Sequence, residues 1–201
     1  MAADLAVHVD GRLGRGERAR TAVVDALLDL IEEGDLRPTA PRIAERAGVS
    51  LRSVFHHFAD LEALFSAAAD RQTARLRGLA RPLAGGGPLR ARLAAFVRQR
   101  ARFLEAITPV RRAALLIEPF SPEVAAGLRR VRALGREEVA RVFAPELTGR
   151  RPADRRELLA AVAAVSSWQA WEALRPHEML SRARAARALV RTLAALLRGG
   201  T

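Results

Sequence analysis

Residues 39–64 read TAPRIAERAGVSLRSVFHHFADLEAL, and the spacing of their apolar positions admits little besides helices joined by tight turns. Pro41 falls in the first turn of the first helix, where a missing N–H costs no intrahelical bond, and Thr39 stands as its N-cap. Ile43, Ala44 and Ala47 supply a buried side, and Gly48 permits the left-handed turn that ends the helix. Ser50 caps the next helix, in which Val54 and Phe58 lie four apart and point inward. Leu51, Arg52, Ser53, His56 and His57 remain on or near the outer face and its N-terminal end. A short helix pinned at its base, with Arg, Ser and His outward, suits the DNA major groove.

The segment resembles the DNA-binding region of the TetR family of bacterial one-component regulators. The resemblance runs through a preceding helix (residues 19–33), the AERAGVS turn, the aromatic–His–His–Phe run at residues 55–58 and the Glu-Ala-Leu at residues 62–64. It covers about residues 17–75; beyond them it is architectural, a helical domain of the expected length. It implies an all-α, dimeric protein with two recognition helices presented to a palindromic operator and a ligand cavity in the variable domain. The family usually has Tyr at the position of Phe55 and Lys at that of Leu61, and both family residues reach phosphates. The two departures remove positioning contacts rather than base-reading ones.

Charge alone does not make the case for DNA. The net charge is +12, but residues 1–60 hold eight Arg and ten Asp or Glu, a balance of −2. Residues 61–84 contribute +2, so residues 85–201, with twenty-two Arg against ten acids, carry the excess. Only the window 37–58 is locally basic, with Arg37, Arg42, Arg46 and Arg52 against Glu45. Ala, Leu and Arg, all good helix formers, dominate the composition, and no Cys is present for disulfides or thiolate metal sites. No secretory signal core is present and no apolar run approaches a membrane span of roughly 18 residues, so a cytoplasmic protein with no membrane partner is expected.

Four regions follow. Residues 1–16, with three glycines, read as a flexible arm, either a solvated tail or a carrier of Arg12, Arg15 and Arg18 into a minor groove. Residues 17–64 form the helix-turn-helix domain, whose first helix is stopped by Gly34. Residues 65–84 continue a connecting helix that is N-capped by Asp60 and runs to about Leu83. After the Gly85-Gly86-Gly87-Pro88 breaker, residues 85–201 form a helical ligand-binding and dimerisation domain, for about nine helices in all. Thr108-Pro109 and Ser121-Pro122 each read as an N-cap followed by Pro, opening a short helix to about Ile117 and a longer one to about Phe143. Pro145 and residues 149–152 read as loop, and the last two helices as residues 154–174 and 181–197.

Candidate DNA contacts are Thr39, Arg42, Leu51, Arg52, Ser53, Phe55, His56 and His57. Arg52, in the first turn of the recognition helix, forks onto a guanine or pairs with a phosphate. Leu51 offers contact to a thymine methyl, Ser53 and His56 to base or phosphate, and Thr39, Arg42 and His57 to phosphate. Phe55, without a hydroxyl, is expected partly in the core. His56 and His57 diverge by about 100° on a helix, unlike the three- or four-residue spacing of metal pairs, so no metal or other cofactor is expected.

Trp168 and Trp171 share one side of the penultimate helix, either as walls of a ligand pocket or as core. Phe96, Arg100, Phe103, Leu116, Phe120 and Gln169 join Trp168 as candidate ligand contacts because the family cavity lies among these helices. Arg100 and Arg102 interrupt an apolar helix; an inward-facing Arg there requires a carboxylate partner or an anionic ligand. Ala183, Ala186, Val190, Leu193 and Leu197 form a seam for a dimer partner or for a helix of the same chain. No phosphate loop, nucleophile elbow or paired carboxylate indicates an enzyme. The expected protein is a homodimeric transcriptional regulator. By the resemblance it is a repressor released from double-stranded operator DNA by an unknown small-molecule effector. The alternative is a ligand-independent DNA-binding architectural protein using the C-terminal arginines.

Overall fold

In a computed structural model, the backbone is described for residues 2–79 and 81–199, and side chains within those ranges from residue 15 onward. Every regular element among them is helical: α1 (Ala2–Glu32), α2 (Ala40–Ala47), α3 (Leu51–His57), α4 (Leu61–Leu76), α5 (Leu89–Leu115), α6 (Pro122–Val142), α7 (Ala144–Leu147), α8 (Pro152–Val165), α9 (Trp168–Glu172) and α10 (Arg182–Arg198). A 3-10 turn follows α4 and a π-turn, Ala173–His177, follows α9. No helix among the described residues is long and apolar enough to cross a membrane.

The chain divides into two compact units. The first contains Met1–Arg75 and Pro109–Ala125. Its core gathers Val23, Leu27, Leu30 and Ile31 of α1, Ile43 and Ala44 of α2, Val54 of α3, Phe58, and Leu64 and Ala68 of α4. The helix ends here are local chemistry. Gly34 (φ 101°) and Gly48 (φ 66°) both take the left-handed conformation. In each case the glycine N–H and the next N–H reach back to close the helix end: Gly34 to Ile31 and Asp35 to Leu30, then Gly48 to Glu45 and Val49 to Ala44. Asp60 caps α4 by accepting from Ala63 N at 2.8 Å.

Residues 1–16, expected as an arm, continue α1 back to Ala2. Their glycines cost roughly 1 kcal/mol each relative to Ala but do not block a helical backbone flanked by Ala, Leu and Arg. The minor-groove reading of Arg12 falls outside the described side chains. The segment Pro109–Ala125, expected with the C-terminal domain, clusters with the N-terminal one.

The second unit contains Leu76–Thr108 and Ala126–Thr201. Its core is built from Leu93, Phe96, Val97, Ala101 and Leu104 of α5, Val139 and Val142 of α6, Phe143, Val162 of α8, Trp168 and Trp171 of α9, and one side of α10. Two arginines enter it. Arg92 donates to both carboxylate oxygens of Glu146 and to the Val142 carbonyl, and Arg100 donates to Glu138 Oε2 at 2.6 Å while lying 4.8 Å over the Phe96 ring. Arg102 faces solvent.

Four helix limits differ from expectation. α4 stops at Leu76, short of Leu83. Thr108-Pro109 opens no helix; α5 runs through Pro109 to Leu115. The Thr108 hydroxyl donates back to the Leu104 carbonyl at 2.7 Å and accepts from Trp168 Nε1 at 3.0 Å, so it is held within the helix and caps nothing. Pro145 lies in the first turn of α7 rather than in a loop. The penultimate helix breaks at Ser166-Ser167. There Ser166 Oγ donates to the Val162 carbonyl at 2.7 Å, and Ser167 Oγ caps α9 by accepting from Ala170 N at 3.3 Å. Ser121 does cap α6 as expected, accepting from Val124 N at 3.0 Å.

Candidate nucleic-acid interface

α3 is a seven-residue helix set on the first core by two side chains, Val54 (1% exposed) and Phe58 (5%). Ser50 Oγ accepts from Ser53 N at 3.1 Å and defines its N-terminus. Arg20 of α1 lies 5.1 Å over the Phe58 ring and adds a cation–π contact behind the helix. With this seat fixed, the 100° step of the helix sends Leu51, Arg52, Phe55 and His56 to solvent and leaves Ser53 and His57 half-buried.

Phe55 is 49% exposed and belongs to the outer face, whereas it had been expected partly in the core. Its neighbour Val54 already occupies the inward position, and one step along the helix cannot share it. The His56 and His57 rings meet edge-on, 5.2 Å between centroids.

Around α3 the charge differs from a simple count of arginines. Arg46 forks onto Glu33 at 2.8 and 2.7 Å, and Arg42 pairs with Asp35 at 3.3 Å. The Arg46 hydrogen bonds hold the Glu33 carboxyl below its usual range. Among the described residues Arg37 and Arg52 have no ion-pair partner, and they are the two cations of the window left for an outside anion. Thr39 occupies the N-cap position of α2, but its side chain makes no capping bond; only its carbonyl accepts, from Ile43 N at 3.0 Å. Its exposed hydroxyl is therefore uncommitted. Arg37 was absent from the expected contacts, although its place two residues before Thr39 was visible in the sequence.

The expected ligand contacts are distributed over both units. Phe96 (1% exposed) packs edge-on against Phe143, and Trp168 and Trp171 are buried, with Trp171 Nε1 donating to Glu105 Oε1 at 2.9 Å. Arg100 is taken up by Glu138. Phe103 is half-buried and Gln169 exposed. Leu116 and Phe120 (83% exposed) belong to the first unit and the others to the second. The expected dimer seam also divides. Leu193 (0%) and Leu197 (4%) are sealed in the core of their own chain, whereas Ala183 is exposed and Ala186 and Val190 half-buried. Leu193 and Leu197 continue the buried Ala185–Leu189 stripe, which already faces the chain's own helices.

Residues 23–68 match the model for bacterial regulatory proteins of the tetR family. Over its length the chain is similar in structure to a tetR-family transcriptional regulator from Streptomyces coelicolor, with a TM-score of 0.70 and 22% identity, covering 90% of this chain and 80% of that one. It is similar also to a transcriptional regulator from Rhodococcus sp. Rha1, with a TM-score of 0.63 and 26% identity over 92% of this chain and 96% of that one. No curated protein matches the chain significantly.

Proposed function

By its N-terminal domain and its fold the chain is a tetR-family, DNA-binding transcriptional regulator, and on that premise we propose that it acts as a homodimeric repressor released from a palindromic operator by a small molecule. The observation that carries this reading is the outward face of α3. Leu51, Arg52, Phe55 and His56 stand in solvent on a helix whose opposite side is locked into the core. Arg52 reads a base edge, while Arg37, Thr39 and His57 hold phosphates. A twofold dimer presents two such helices about 34–36 Å apart, in successive major grooves.

Release works through the fourth helix. Within the first unit, Ser66 of α4 donates to Glu123 at 2.6 Å, and Ser121 donates to Glu62 of α4. These bonds join α4 to the start of α6, and α6 continues into the second unit. An effector that shifts α6 thereby re-tilts α4, and a coupling of about 1–3 kcal/mol lowers operator affinity roughly 5–150-fold.

Footprinting and fluorescence anisotropy on the DNA upstream of the chain's own gene test the proposal. Protection of a palindrome by two chains supports it, and binding by a strict monomer contradicts it. The exposed arginines of α10, Arg182, Arg184, Arg187, Arg191 and Arg198, favour a second reading, a ligand-independent architectural DNA binder. That protein would lose its target to random competitor DNA and weaken steeply with salt at every sequence alike.

A further inference from the structure

Phe96, Phe143, Trp168 and Trp171 are buried in the core of the second unit, and at its surface a groove of about 490 Å³ opens between α5 and α10. Its floor is Val97 (2% exposed) and Ala101 (3%), and Ala186 and Val190 are half-buried in its wall. Ala94 and Ala183, both exposed, line its solvent side. From Ala94 to Ala101 the groove follows two turns of α5, about 10 Å. Arg98, Arg182 and Arg187 also line it, and no carboxylate does. Among the described residues none of the three arginines has an ion-pair partner; Arg182 acts on Glu105 only at longer range. An apolar trough of ligand-pocket size, bordered by three unneutralised guanidinium groups, is complementary to one kind of small molecule, an aliphatic chain ending in an anion. A twofold axis passing through the groove would set its three arginines against their own copies, which disfavours that contact relative to an anionic ligand.

We propose that the α5–α10 groove binds a medium-chain aliphatic carboxylate, with the chain laid over Val97, Ala101 and Val190 and the head group held by Arg98, Arg182 and Arg187. The inference concerns binding alone and stands whether or not the occupant alters DNA affinity.

Isothermal titration calorimetry of the full chain with acetate, hexanoate, octanoate and decanoate, each below its micelle concentration, tests it. The expected result is one site per chain, with affinity rising about two- to fourfold per added methylene. Octan-1-ol should bind at least about tenfold more weakly than octanoate, for want of the charge-assisted bonds. The exposed triple substitution Arg98→Ala, Arg182→Ala and Arg187→Ala should remove the preference for octanoate over octanol without changing the melting temperature. Ala183→Leu, which closes the mouth from the solvent side, should weaken decanoate binding. Affinity independent of chain length, or several equivalent sites untouched by the triple substitution, would show diffuse attraction to a cationic surface and overturn the proposal. So would a change of oligomeric state in Ala183→Leu with carboxylate binding intact, which would assign the groove to a second copy of the chain.

Discussion

At the scale of single residues, burial separates side chains that hold the fold from those left to act. Arg52 and Arg46 are six positions apart, yet Arg46 is committed to Glu33 and Arg52 to nothing within the described residues. Arg52→Ala should therefore cost about 1–3 kcal/mol of affinity at the preferred operator and relax specificity at one base pair. Anisotropy titrations on the operator and on single-base variants measure both effects, and equal losses on every sequence would make Arg52 a phosphate contact. Phe55→Tyr places a hydroxyl on an already exposed ring and should tighten binding without altering sequence preference. Leu61→Lys should show the same gain less clearly, because Leu61 packs against the first core and its loss offsets part of the benefit.

Buried charge gives a sharper case. Arg100 is 9% exposed, its Nε has no hydrogen-bond partner, and burial pulls its pKa down against the opposing pull of Glu138. Glu138→Ala should cost about 3–5 kcal/mol by stranding that charge, whereas the double change with Arg100→Met should recover much of the loss. Urea denaturation of the three proteins decides it.

At the scale of elements, the joints matter more than the rods. Glu62 and Ser66 project from one side of α4 toward Ser121 and Glu123, so four side chains connect two helices in the first unit. Glu62→Gln combined with Ser66→Ala should leave operator affinity nearly unchanged without effector and reduce the effector's influence on it several-fold. Anisotropy with and without the effector checks this; an unchanged response would place the coupling elsewhere. α9 is anchored differently. Glu105 of α5 accepts from Trp171 Nε1 at 2.9 Å and from Arg175 Nε at 2.6 Å, which ties the π-turn back to the long helix.

Across the whole molecule these carboxylates make stability depend on pH. Burial pushes the Glu105 carboxyl up, but the hydrogen bonds from Arg175 and Trp171 outweigh it and leave a net lowering. Asp25 is lowered chiefly by its hydrogen bond from Arg71, which reaches it at 2.6 Å. A carboxyl depressed in the folded state contributes stability above its unfolded pKa and loses it as pH falls through the folded value. Melting temperature should thus be flat near neutrality and fall below about pH 4, where unfolded carboxyls begin to take up protons. Glu105→Gln should lower the neutral plateau and soften the acid decline; an unaltered profile would remove Glu105 from the account.

The sequence by itself determined whatever rests on neighbours within a helical turn or two. Gly34, Gly48, Ser50 and Asp60 end or begin helices through bonds spanning three to five residues, and Val54 and Phe58 point inward by spacing alone. That was enough to make the DNA-reading head legible. Tertiary structure decided matters in which the partner lies far along the chain. Arg92 finds Glu146 across 54 positions and Arg175 finds Glu105 across 70. The stripe on α10 was plainly apolar, but an apolar stripe does not say what covers it, and Leu193 and Leu197 proved to face their own chain. Thr108-Pro109 looked like a helix start because capping is a local signal; the Trp168 indole, sixty residues away, helps hold it inside α5 instead. Local bonds are set by backbone geometry, whereas burial is awarded only when the whole chain has closed around a core.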